Sequence, residues 1–348
     1  MKSVTMFLLV STVTAKLATF TPYLKDHEEL SEEAQNLSGQ KLVDYINNLE
    51  TTWTATSDHK FKQYRQEHYG PLLGLRDVDF EIKSQLGDPP IHNNVAVPDE
   101  FDSRKVWPKC ESIRTIRDQS TCGSCWAVAA TSTMSDRICI HSNGTKQVDV
   151  SADDLISCCK FCGLGCFGGA PEAAWVYYMT KGLVSGGAYG DNSTCRSYPF
   201  APCEHHVPGP KPACGGYSKT PKCERTCSES SGLTYNNDIH QGKIGFPVRI
   251  GEWWIKNEIY NNGPVEAGFT VFEDFINYKS GVYQHKAGKM LGGHAVKIIG
   301  WGVENGTNYW LVANSWNEDW GVKGYFKILR GHFHCGIEYR VSAGLPKL

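Results

Sequence analysis

The 348 residues carry 35 Lys and Arg against 37 Asp and Glu, and the net charge of −2 leaves no basic footprint for nucleic acid or an anionic membrane. Hydrophobic residues make up 41% of the chain, enough for a sizeable core, and the length exceeds a usual single domain. No run of 18 or more apolar residues occurs, which argues against a membrane-spanning helix.

In chain order, Lys2 precedes a short apolar stretch from Met6 to Val10, and Val13-Thr14-Ala15 offers small side chains for cleavage. Residues 1–15 therefore read as a signal peptide, with a buried N-terminal strand or helix as the alternative. Residues 16–96 contain no cysteine and hold 13 acidic against 8 basic side chains. Within them Leu42, Val43, Tyr45, Ile46 and Leu49 recur at near-helical spacing, which predicts a short amphipathic helix. Gly87-Asp88-Pro89-Pro90 breaks regular structure, and His92-Asn93-Asn94 continues a polar linker of the kind where proteolytic nicking concentrates. A removable N-terminal segment ending near Ala96 is expected. Cys125 to Ile140 predicts a helix, with Trp126, Ala129, Ala130, Met134 and Ile138 on its apolar side. Residues 158–235 are rich in Gly, Pro and Cys and lack periodicity. From Phe246 onward come β-favouring runs at 264–271, 294–301, 309–313 and 325–329, punctuated by glycine as in a curved antiparallel sheet or barrel. The expected architecture is α+β, a helical half over 97–245 and a β half over 246–348.

All 14 cysteines lie between Cys110 and Cys335. Behind a secretory address they read as disulfides. The spacings Cys159-x2-Cys162 and Cys162-x3-Cys166 leave zinc as a competing reading. Glycosylation sequons begin at Asn36, Asn143, Asn192 and Asn305.

The chemistry concentrates in Gln119-Ser120-Thr121-Cys122-Gly123-Ser124-Cys125-Trp126. Cys125 sits where a glycine-containing turn meets a helix N-terminus, whose free N–H groups and dipole favour a thiolate, the nucleophilic form. His294, in Gly292-Gly293-His294-Ala295-Val296, opens an apolar β run after two glycines that permit close backbone approach. Asn314, in Asn314-Ser315-Trp316, can accept a proton from the imidazole and hold the ring, while Trp316 shields that bond from water. Gln119 and the Cys125 backbone N–H are the candidate oxyanion donors. The bland alternatives are a structural half-cystine, a surface histidine, a turn asparagine and a core tryptophan.

Cys122-Gly123-Ser124-Cys125-Trp126 matches the C-G-[SA]-C-[WY] signature of papain-type cysteine proteases. His294 and Asn314 follow Cys125 by 169 and 189 residues, more than the roughly 130–150 usual in that family, so an insertion separates them. Arg117-Asp118-Gln119, Cys158-Cys159, Gly168-Gly169 and Pro202-Cys203-Glu204-His205-His206-Val207 resemble the cathepsin B branch of the family, from about Lys41 to the C-terminus.

The resemblance implies a papain-like fold, helical left domain and antiparallel β-barrel right domain meeting at a cleft, preceded by an inhibitory propeptide over 16–96. It implies an endopeptidase working through a thioester, with no cofactor and no metal. A loop over 203–214 would occlude the cleft, and His205 and His206 would receive a substrate carboxylate to give peptidyl-dipeptidase activity. That loop would be tethered by His205 with Asp118 and Lys211 with Asp319, where Lys replaces the more familiar Arg and loosens the hold. Gly168 and Gly169 would bond substrate backbone, and Phe167 beside them would reshape the non-primed side. Arg340 stands where some family members have Glu, so its charge would repel a basic residue two positions before the scissile bond and leave an apolar or acidic preference. Implied disulfides are Cys110–Cys139, Cys122–Cys166, Cys158–Cys223, Cys159–Cys162, Cys195–Cys227 and Cys203–Cys214, with Cys125 and Cys335 free. Implied partners are protein and peptide substrates, the chain's own propeptide and cystatin-type inhibitors, for a monomer in the lysosome or secreted. An inactive binding relative, a disulfide-rich interaction module and a non-catalytic zinc protein are the other classes.

Overall fold

The computed structural model describes residues 30–56, 69–92, 96–205 and 209–348; the expected signal peptide and His206 lie outside them. An N-terminal layer contains α1 (Glu32–Gln35), α2 (Gly39–Asn48), β1 (Trp53–Ala55) and α3 (Phe80–Lys83). Then come β2 (Phe101–Asp102), α4 (Ser103–Val106), α5 (Cys125–His141), α6 (Ala152–Cys158) and α7 (Pro171–Thr180). The remainder is β3 (Gly242–Pro247), α8 (Glu252–Asn262), β4 (Val265–Phe272), α9 (Glu273–Ile276), β5 (Tyr278–Tyr283), β6 (Met290–Glu304), β7 (Thr307–Ala313), β8 (Tyr325–Leu329) and β9 (Arg340–Pro346).

The α2 helix buries Leu42, Val43 and Ile46, the face its spacing predicted, against the sheet half. Every residue of α5 from Cys125 to Ile140 is buried, which its Ala, Ser and Thr content permits because small side chains let neighbours approach on all faces. The strands follow the order β1-β5-β8-β7-β6-β4-β9-β3, with β2 on β6. The pairings are antiparallel except β5 with β8, and the ladder among the described residues is an open path. The β half, expected as a curved antiparallel sheet or barrel, thus includes one parallel pair.

The division at 245/246 falls inside β3, which pairs with β9. The short β2, from the stretch read as helical, pairs with β6. Two main cores nevertheless result, one on the sheet and one around α5, α6 and α7. Two buried ion pairs fasten them. Asp136 on α5 takes Lys297 of β6 at 2.7 Å, and Arg137 takes Glu258 of α8 at 2.8 Å. Arg137 also donates to the carbonyls of Gly263, Pro264 and Gly344. The helix that begins with Cys125 is thereby locked to the strand that carries His294. All six implied disulfides form, leaving Cys125 and Cys335 free, and the ligand-like spacing at Cys159 and Cys162 closes as one of the bridges.

Candidate active site

Cys125 is the first residue of α5, and Ser124 before it makes no side-chain cap, so the first N–H groups of the helix stay available at the sulfur. Across the interface, β6 presents His294, whose Nε2 lies 2.8 Å from Asn314 Oδ1. Since an amide oxygen only accepts, Nε2 carries the proton and Nδ1 is the basic nitrogen. Ser315 N donates to the same oxygen at 2.8 Å, fixing the amide's orientation. The Trp316 indole stacks on the imidazole at 4.8 Å between centroids and is itself fully buried, so water cannot compete for the His294–Asn314 bond. Gln119 is held by Ser315 Oγ, which donates to its Oε1 at 2.7 Å and turns its Nε2 toward the cleft. Ser315 was not singled out in the sequence; its place beside Asn314 was the available signal.

The N-terminal segment runs directly over these groups. Gln119 Nε2 donates to the carbonyls of Pro71 at 3.1 Å and Leu72 at 3.3 Å. Gly74 N donates to Cys125 Sγ at 3.2 Å. Gly169 N donates to Gly74 O, Arg76 N to Gly169 O, both at 2.9 Å, and Leu75 N to Gly293 O at 3.2 Å. The bridge between Leu75 and Gly169 is parallel. Glycine is needed on both sides of this track. A Cβ at Gly74 would lie 1.9 Å from Gly123 O, and one at Gly169 would lie 2.5 Å from the Trp126 ring. Gly168, at φ +103, faces Arg76 and Gly74. The sulfur thus meets the Gly74 N–H, and the Gln119 side-chain amide is taken up by two carbonyls of the N-terminal segment.

The model of the papain family cysteine proteases matches residues 97–345. The chain belongs to the papain family. It is 47% identical over 329 residues to cathepsin B-like cysteine proteinase 6 of Caenorhabditis elegans, covering 92% of this chain and 87% of that protein. It is 48% identical over 311 residues to a cathepsin B-like cysteine proteinase of Schistosoma japonicum, covering 88% and 90%. Among solved structures it is similar to procathepsin B S9 of Trypanosoma congolense, with a TM-score of 0.76, 39% identity, and coverage of 89% of this chain and 98% of that one. It is therefore a cathepsin B-like cysteine protease in proenzyme form, and the segment over the cleft is its propeptide.

In this cathepsin B-like proenzyme burial works against the thiolate expected from sequence. Burial beneath the propeptide pushes the Cys125 thiol up to about 11, against the opposing N–H groups of Ala295, Gly74 and Trp126. Burial likewise pushes His294 down to about 4, against the Asn314 bond and the Leu72 backbone. Both shifts favour the uncharged forms. A helix N-terminus favours the thiolate where solvent reaches it, and here the propeptide covers the pair.

The remaining expected residues separate into two groups. His205 is fully buried, with Nε2 2.7 Å from Asp118 Oδ1, so in the proenzyme it anchors the loop rather than facing the cleft. Asn317 Nδ2 supports the same carboxylate at 3.1 Å and donates to Cys203 O at 2.8 Å. Lys211 pairs with Asp319, both partly exposed. Phe167 stacks on Tyr217 at 5.4 Å, and its carbonyl accepts from Arg76 Nε at 2.7 Å, so it lies beside the propeptide track. Arg340 is not the bare cation expected from sequence. Its Nε and Nη2 grip Glu172 Oε1 and Oε2 at 2.8 and 2.7 Å, a partner that sequence reading missed because 168 residues separate the two.

Proposed function

We propose that the processed enzyme hydrolyses internal peptide bonds with Cys125 as nucleophile, His294 as acid and base, Asn314 as its positioning residue, and Gln119 as oxyanion donor. Once the propeptide leaves, water re-enters, burial no longer penalises the charged forms, and proton transfer from sulfur to His294 Nδ1 becomes favourable. The thiolate attacks the scissile carbonyl carbon, and the resulting oxyanion receives hydrogen bonds from Gln119 Nε2 and the Cys125 N–H. Collapse breaks the C–N bond, with His294 delivering its proton to the departing amine and leaving a thioester. Water then attacks the thioester, giving its proton to His294, and the acid leaves as the thiol re-forms. The observation carrying this reading is the oriented His294–Asn314 pair beside a free Cys125 in a chain with six disulfides.

The 203–214 loop acts as an occluding loop and adds peptidyl-dipeptidase activity. Its closure by Cys203–Cys214 and its anchoring through Asp118 support this, with His206 as the group left to receive a substrate carboxylate. Gly168 and Gly169 serve substrate main chain as they serve the propeptide. The mature chain begins near Ala96, acts as a monomer on protein and peptide substrates, meets cystatin-type inhibitors, and travels the secretory route to the lysosome or outside. The described helices include none long and apolar enough to cross a membrane.

The test is covalent labelling of the processed enzyme with an epoxysuccinyl inhibitor, followed by peptide mapping. Stoichiometric modification of Cys125 with parallel loss of peptide hydrolysis is expected. Activity retained in Cys125→Ala would overturn the assignment. For the loop, dipeptides should be released from free C-termini and lost when the substrate C-terminus is amidated.

A further inference from the structure

The Leu75 side chain of the propeptide fills an apolar hollow beside the nucleophile, packed against Cys125, Ala129 and Ala295. It is close enough that a Cβ on Gly268 would meet its Cδ2 at 2.8 Å and Arg340 Cδ at 3.5 Å. Arg340 therefore borders this hollow. Glu172 lies near the start of α7 in the helical half and Arg340 opens β9 in the sheet half, so their bidentate pair spans the floor between the two cores. Both side chains are nearly sequestered, at 5% and 12% exposure. Burial alone would push the Glu172 carboxyl up, but the Arg340 guanidinium holds it below the usual carboxylate range. Arg340 spends its remaining donors on Arg76 O at 2.6 Å and on Asp77 Oδ1 at 3.4 Å, at the exposed rim. Glu266, behind the pair, accepts from Trp175 Nε1 at 3.0 Å, and its complete burial pushes its carboxyl well above the ordinary glutamate value.

We propose that Glu172 is a specificity-determining residue of this protease, locking the Arg340 guanidinium so that the subsite is uncharged and selects branched apolar side chains of the Leu type. This rests on the reading of the cleft as the substrate site. The lock is symmetric in charge. An incoming Glu or Asp must compete with Glu172 for a guanidinium whose fork is already matched, and an incoming Arg must compete with Arg340. Removing either member leaves the survivor's charge unpaired in a desolvated hollow, where it recruits a substrate side chain of opposite sign.

The experiment uses the processed enzyme, titrated at its active site, with three fluorogenic peptides differing only in Leu, Glu or Arg at the second residue before the scissile bond. Within each variant kcat/KM is expressed relative to the Leu peptide. The wild type is expected to favour Leu over both charged peptides. Glu172→Ala and the isosteric Glu172→Gln should raise the Glu/Leu ratio by about tenfold or more. Arg340→Ala should raise the Arg/Leu ratio comparably, and Glu172→Ala/Arg340→Ala should raise neither. If the Ala variant fails to fold, Glu172→Gln carries the test. Ratios unchanged within twofold in Glu172→Gln, or a wild type cleaving the Glu peptide as well as the Leu peptide, would overturn the lock. A titrated wild type that cleaves none of the three would overturn the underlying cleft reading as well.

Discussion

Replacing Gly74 by alanine tests whether the propeptide holds the enzyme off by close backbone passage. A Cβ there would sit 1.9 Å from Gly123 O and 3.2 Å from Gly123 Cα, so the obstacle is main chain that cannot rotate aside. Gly74 is outside the positive-φ glycines, so the cost is steric and not conformational. To relieve the clash the strand must lift, and four bonds meet at this point: Gly74 N to Cys125 Sγ, Gly169 N to Gly74 O, Leu75 N to Gly293 O and Arg76 N to Gly169 O. At about 0.5–1.5 kcal/mol each, losing them costs about 2–6 kcal/mol of cleft occupancy. Even the lower figure raises the open fraction about thirtyfold. The assay is the rate of iodoacetamide alkylation of Cys125 in unprocessed chain at pH 7, with processing followed in parallel by gel. Gly74→Ala should label at least about thirtyfold faster than wild type and process sooner. Equal labelling rates in folded wild-type and variant chains would refute the argument that this passage seals the thiol.

Asn314→Ala removes the acceptor for His294 Nε2 and leaves a buried donor unpaired, so kcat should fall about 10- to 100-fold with a displaced pH–rate profile, measured on processed enzyme. Asp118 is lowered overall: burial raises it, and the His205 charge and hydrogen bonds outweigh that. A depressed carboxylate contributes loop closure fully above its unfolded value of 3.8 and loses it as pH falls through the folded value. Dipeptide release should therefore persist at pH 5 and give way to endopeptidase cleavage only below about pH 4, which product analysis across pH 3–6 will check. Lys211→Arg adds a bidentate option to a partly exposed pair worth about 0.2–1 kcal/mol, so the dipeptidase-to-endopeptidase ratio should rise, by at most about fivefold. Arg137→Ala leaves the buried Glu258 carboxylate with only His92 at 2.8 Å and Asn262 at 3.2 Å among the described residues, and should destabilise the chain by about 3 kcal/mol in denaturant melts.

Much of the site was legible because its chemistry sits in short strings. Cys125 and Gln119 share one turn, and Asn314, Ser315 and Trp316 are contiguous, so local residue types sufficed to name them. The helices and strands were legible for a similar reason, since periodicity is a local property: the face of α2 at Leu42, Val43 and Ile46 follows from spacing. Cys159–Cys162 could be raised as a pair from spacing but not distinguished from zinc ligation, because both chemistries favour the same separation.

What composition and motif determined by themselves was an oxidised, two-part chain built around a cysteine–histidine pair, since each of those features resides in neighbouring residues. Three matters waited for the fold. The charge state of Cys125 and His294 depends on water being excluded by Gly74 and Leu72, more than 50 positions upstream of the cysteine. The burial of His205 depends on Asp118, and the electrostatics of Arg340 depend on Glu172. Solvation and Coulomb energies are set by distance in space, and separation along the chain says nothing about that distance until the backbone has closed.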